Sequence, residues 1–225
     1  MYVIGDVHGC FNTLLKLIKE APKQDFIFIG DLVDKGLYSY EVINFVMKNN
    51  YKVIKGNHEE LFSRFYNKRK SLWYTDDSYG GRYTIDSFKG KNMSKYLEFI
   101  DNLPYYIQQD NYFLTHGFGL PYYNRKDNLE YNRALMSNRV EATTHKSDWE
   151  DYSQYNVINI FGHSAFVEPL VSDKFVGIDT GAVYGNKLSM IELGSNEIIS
   201  IDVLIEDLPK NYADESYRLN GLINL

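Results

Sequence analysis

The first half of the chain alternates short apolar runs with amphipathic ones. Residues 2–4 (YVI) predict a short strand that ends in a Gly-Asp turn. Residues 11–21 (FNTLLKLIKEA) set Leu14, Leu15, Leu17 and Ile18 at helical spacing with Lys and Glu outside, and Pro22 follows. DFIFIG (25–30) predicts a second buried strand, SYEVINFVMKNN (39–50) a second helix and YKVIKG (51–56) a third strand. The order β-α-β-α-β predicts parallel strands, whose carboxyl-end loops gather ligands. Residues 60–110 read as helical but less regular, with a glycine break in SYGGRYT (78–84). Strands resume at YFLTHG (112–117), NVINIFGHS (156–164) and FVGIDTGAVYG (175–185). LSMIEL and EIISIDV, joined by GSN, predict an antiparallel hairpin. One domain over residues 1–205 is expected, with 206–225, poor in apolar residues, as a loosely packed tail.

Composition narrows the class. At 225 residues, 44% hydrophobic and 24% charged, the chain suits a single well-packed domain. Its net charge of −6 and pI of 5.4 disfavour nucleic acid as a main partner unless metal ions reverse the local field. The single cysteine, Cys10, gives no disulfide framework and fits a reducing compartment. Neither a signal segment nor an apolar run of roughly 20 residues is read, so the expectation is a cytoplasmic domain with no membrane partner. The 20 tyrosines would suit an aromatic ligand surface, but together with abundant Asn and Lys they also follow from AT-rich coding.

The candidate chemistry lies at the strand ends. After the first strand comes GDVHG, with Asp6 and His8; after the second, GDLVDKG, with Asp31 and Asp34; after the third, GNHEE, with Asn57 and His58. Later strands end in THG, with His116, and GHS, with His163. Four of the five histidines therefore sit at strand–glycine junctions. The fifth, His145, lies in polar TTHKSDW and reads as a surface residue. Buried carboxylates among these imidazoles need charge compensation, which a dication supplies. Oxygen and imidazole donors without cysteine suit manganese, iron or zinc. They are too many for one catalytic metal with open positions, but suit two metals clamping an in-line displacement at phosphorus.

The motifs GDVHG, GDLVDKG and GNHE, beginning at Gly5, Gly30 and Gly56, resemble the phosphoprotein phosphatase branch of the calcineurin-like metallophosphoesterases. HG, FGHS and IDTGAVYGNKLSMIEL continue the likeness in order, over roughly residues 1–195, most closely to small bacterial and phage protein phosphatases. The resemblance implies an α/β sandwich of two mixed sheets with helices outside. It implies that Asp6 and His8 bind a first metal, that Asp31 bridges, and that Asn57, His116 and His163 bind a second. A hydroxide held between the metals would be the nucleophile. His58 would be the general acid, oriented and supported in its positive charge by Asp34. Glu59 would support the turn rather than bind metal.

Two cationic grips on phosphate are also implied, with Asn57 beside them. The family usually has Arg where this chain has Lys35, which keeps the charge but loses the bidentate fork. The second grip is Arg139 in ALMSNRV, with Arg133 as competitor. A Ser/Thr protein phosphatase is the favoured reading, because His8 is the protein-phosphatase form where one bacterial diadenosine hydrolase group has Gln. A dinucleoside polyphosphate hydrolase is the alternative, with Tyr122 and Tyr123 near His116 as adenine-stacking candidates. A non-catalytic phospho-ligand module is the third. The expected partners are therefore a phosphorylated protein or a small phosphoester.

Overall fold

The computed structural model describes residues 1–23, 25–67, 72–140, 151–213 and 222–223. The chain begins β1 (Tyr2–Ile4), α1 (Phe11–Lys19), β2 (Phe26–Phe28), α2 (Ser39–Lys48), β3 (Lys52–Val53). Three helices follow, α3 (Asn57–Tyr66), α4 (Gly81–Ser87) and α5 (Ser94–Asp101), and then β4 (Tyr106–Gln109) and β5 (Tyr112–Thr115). Two 3-10 turns lead into α6 (Asn132–Ser137), β6 (Ile158–Phe161), β7 (Leu170–Val171) and β8 (Phe175–Gly177). The chain closes with β9 (Lys187–Glu192), β10 (Ile198–Asp202) and α7 (Lys210–Ala213). The strands form two mixed sheets, β10-β9-β1-β2-β3 and β4-β5-β6-β8-β7. As expected, β1, β2 and β3 are parallel and β9–β10 is an antiparallel hairpin.

Side chains alternate across each sheet as the pleat requires. Val3, Ile27, Ile29 and Ile54 of the first sheet and its loops meet Leu114, Ile160, Val176 and Ile178 of the second in a core between the sheets. Tyr2, Ile4, Phe26 and Phe28 face outward under α1 and α2, whose Leu14, Leu17, Val42, Ile43 and Val46 cover them. Phe113, Phe161 and Phe175 face the opposite outside, beneath Phe118, Leu120 and Leu135. The result is the sandwich with helical outer layers, the second of which, among the described residues, is built of α6 and short 3-10 turns.

Two expectations change. The strands stop short of the glycine motifs, because residues there leave the extended region: φ is 45° at His8, 50° at Asp31, 75° at Asp34 and 62° at His163. The C-terminal segment is not loose at its start. Asp207, Leu208 and Tyr212 are buried, and Ile223 bridges to Phe166.

Candidate active site

All five predicted strand ends open on one edge of the sandwich. Asp6 follows β1, Asp31 follows β2, Asn57 opens α3 after β3, His116 follows β5 and His163 follows β6. At the centre is Asp31, 2% exposed. Its Oδ2 lies 3.3 Å from Nε2 of His116, 3.5 Å from Nε2 of His8 and 3.9 Å from Nε2 of His58. Its Oδ1 accepts the backbone N–H of His58 at 3.0 Å. Asn57 Oδ1 is 3.1 Å from His116 Nε2. The backbone N–H of His163 reaches both carboxylate oxygens of Asp6, at 3.2 and 3.3 Å. This approach requires Gly162, since a Cβ there would sit 2.1 Å from Asp6 Oδ1.

The imidazoles are fixed from behind. Nδ1 of His8 is 2.9 Å from the Val33 carbonyl and Nδ1 of His116 is 2.8 Å from the Ile29 carbonyl. A carbonyl only accepts, so each Nδ1 carries a proton and each ring turns its Nε2 toward Asp31. Burial, followed by Lys35 and His58, holds the His8 pKa well below its usual range. An unprotonated nitrogen thus faces a buried carboxylate. Burial opposes ionisation of Asp31, yet His116, His58 and His8 hold its pKa well below the carboxylate range. Burial also lowers His116, but Asp31 and Asp6 outweigh it and raise the imidazole to about 10. Burial, His116 and Arg139 push His163 down to about 2. Burial and then Asp179 push Asp6 well up. Such a set of converging donors fits divalent cations, which would satisfy lone pairs and carboxylates together. Two triples have ligand atoms all within 4.8 Å of one another: His8, Asp31 and His58, and Asp31, His116 and His163. Asp31 is common to both.

His58 faces this cluster with Nε2, while its Nδ1 is 2.6 Å from Asp34 Oδ2. Asp34 is fully buried. It accepts Trp73 Nε1–H at 2.5 Å and Thr84 Oγ1–H at 2.6 Å. The double glycine makes room for this support: a Cβ on Gly80 would meet the Lys35 backbone at 2.4 Å, and one on Gly81 the Trp73 ring at 2.5 Å. Glu59 accepts backbone N–H bonds from Asp31, Leu32 and Gly56, which ties the second and third motifs together. Burial and Asp31 raise its carboxyl to about 7.

Asp6, His8, Asp31, Lys35, His58, Arg139 and His163 all line one recess of about 40 Å³. Arg139 Nη1 donates to the His163 carbonyl at 2.6 Å. Arg133 lines a neighbouring groove instead. Lys35 Nζ donates to Tyr184 Oη at 3.1 Å and lies 3.3 Å from His8 Nε2. Sequence reasoning missed four contributors: Asp179 and Tyr184 in the recess, and Trp73 and Thr84 behind Asp34. Asp179 carried a usable signal, because it follows the apolar β8 in FVGIDTG as Asp6 follows β1. Trp73 and Thr84 carried none. Tyr122 and Tyr123 are half-buried against the outer core of the second sheet, Tyr123 beside Phe113 and Tyr155. His145 lies outside the described residues.

The calcineurin-like phosphoesterase family profile matches residues 1–186 of this chain. The chain is a calcineurin-like phosphoesterase. Among curated proteins, this phosphoesterase is similar to bis(5'-nucleosyl)-tetraphosphatase PrpE (asymmetrical) of Oceanobacillus iheyensis, 26% identical over 88% of this chain and 90% of that protein. The protein of the same name from Geobacillus sp. is 24% identical over 93% and 97%. Among solved structures, a candidate diadenosine tetraphosphatase superposes with TM-score 0.68 at 21% identity, covering 90% of this chain and 93% of that one. A Saccharomyces cerevisiae serine/threonine phosphatase superposes at 0.61 and 18%, covering 93% and 81%. These structural likenesses show the shared phosphoesterase fold. Among the described residues, no helix is long and apolar enough to cross a membrane.

Proposed function

We propose that this phosphoesterase hydrolyses dinucleoside polyphosphates asymmetrically, using two divalent metal ions. The carrying observation is that curated relatives bearing that activity in their names match the chain almost end to end. This reverses the preference drawn from the motifs alone, which favoured phosphoproteins. That second reading keeps one specific support, the histidine at position 8.

Asp6, His8 and Asp31 would hold one ion, and Asp31, Asn57, His116 and His163 the other. Bound there, the ions would supply an activated water and offset the charge of the phosphates. Lys35, steadied by Tyr184, and Arg139, steadied by the His163 carbonyl, would bind non-bridging phosphate oxygens, with the Asn57 amide beside them. Water would add to one phosphorus as the P–O bond to the departing nucleotide breaks; His58 Nε2 would give the departing oxygen its proton, and the proton that the water loses would pass to solvent. Asp34 holds the proton on Nδ1 and balances the ring's charge. This acid pair argues against a merely binding module.

The test compares kcat/KM for diadenosine tetraphosphate and a phosphothreonine peptide in parallel, with manganese as the trial metal. Preference for the dinucleotide, with ATP and AMP as products, is expected. Preference for the peptide would return the enzyme to protein dephosphorylation, and turnover of neither would sink both readings.

A further inference from the structure

A groove of about 480 Å³ opens beside the metal-ligand cluster at Asn57 and continues past Arg64, Tyr79, Tyr105, Leu129 and Arg133. It shares Tyr105 and Leu129 with an adjoining recess of about 450 Å³ that Lys126 also lines. Such volumes fall in the range of small-molecule sites. The Tyr79 ring is 6.5 Å from that of His58, so the groove starts where the departing group would leave. Arg64 and Arg133 are exposed, and neither has an ion-pair partner among the described residues. Glu60 and Glu130 also line the groove, yet neither is paired with these arginines. Lys55 Nζ, 5.5 Å from the Tyr105 centroid, steadies that ring.

We propose that this groove is the subsite for the second nucleotide of the substrate. Arg64 and Arg133 bind its phosphate oxygens, Tyr79 and Tyr105 face its base, and the glutamates accept from ribose hydroxyls. The inference rests on the dinucleoside polyphosphate reading. Guanidiniums, carboxylates and aromatic rings side by side match a nucleotide's three parts. An extended phosphopeptide fits less well, because α3, α6 and turn residues form the groove's wall, and the edge strand β4 reaches only the adjoining recess, at Tyr106.

The test uses the metal-loaded full chain and measures equilibrium binding of AMP and of inorganic phosphate, in wild type and in an Arg64→Gln/Arg133→Gln variant. The affinity for AMP relative to phosphate is expected to fall about tenfold, as losing charge-assisted contacts implies. Tyr79→Leu should lower the same ratio without removing any charge. An unchanged ratio in both variants overturns the subsite. So does a loss confined to a phosphothreonine peptide, which would make the groove a peptide site. If wild type cleaves diadenosine tetraphosphate while the ratios hold, only the subsite falls. If the ratios fall but the dinucleotide is not cleaved, only the functional reading falls.

Discussion

At the residue scale, the informative group is His58, whose Nε2 is near Asp31 while its Nδ1 is tied to Asp34. A proton donor matters in proportion to the basicity of the leaving oxygen. A serine or threonine alkoxide needs a proton far more than a departing nucleotide phosphate does. His58→Asn should therefore lower kcat on an alkyl phosphate by about 10²–10⁴-fold, and on diadenosine tetraphosphate by less. The same variant should still bind its metal ions. Because His58 also stands among the clustered donors, loss of metal binding would identify it as a ligand and refute its role as acid. The residue types at this centre were legible as strand-end motifs. The groups behind them were not, since Trp73 and Thr84 reach Asp34 from 39 and 50 residues away.

At the scale of elements, α1 shows what periodicity reveals and what it omits. Its buried Leu14, Leu17 and Ile18 were readable from spacing. Its cap was not, because Cys10 makes no side-chain capping bond. Asp207, 194 residues distant, accepts the Thr13 N–H at 2.7 Å and its hydroxyl at 2.6 Å. It also accepts the Asn12 N–H at 3.0 Å. The segment expected as a loose tail thus closes the first helix. Asp207→Ala should cost about 2 kcal/mol by leaving buried donors unpaired. In thermal unfolding that is a fall in Tm of roughly 4–8 °C. A change of less than about one degree would show that water replaces the cap.

At the scale of the whole molecule, two sheets bring Asp6, Asp31 and Asp179 into one recess, faced by Lys35 and Arg139. Burial is the leading cause that raises the carboxyls of Asp6 and Asp179. The fold therefore places like charges together at a cost, which bound dications would offset. Adding a divalent metal to chelator-treated protein, at about a hundredfold excess over Kd, should stabilise it by about 2.7 kcal/mol. Tm should rise by roughly 5–10 °C, and hydrolysis should return with it. No shift in Tm with any of manganese, iron or zinc would contradict a metal centre at Asp31.

The sequence by itself determined the parallel opening strands, the helices over them and the glycine-flanked donors at five strand ends. Each of these depends on local spacing, which a single chain displays. Only the tertiary structure decided what gathers around those donors. Tyr184, Trp73, Thr84 and Asp207 act across long sequence separations, and no periodicity links them to their partners. It also placed Tyr122 and Tyr123 against the outer core of the second sheet, and Tyr79 and Tyr105 along a groove. Tyr105 and Tyr122 both follow Leu-Pro in an LPYY stretch, and only packing turns one toward a groove and the other toward a core.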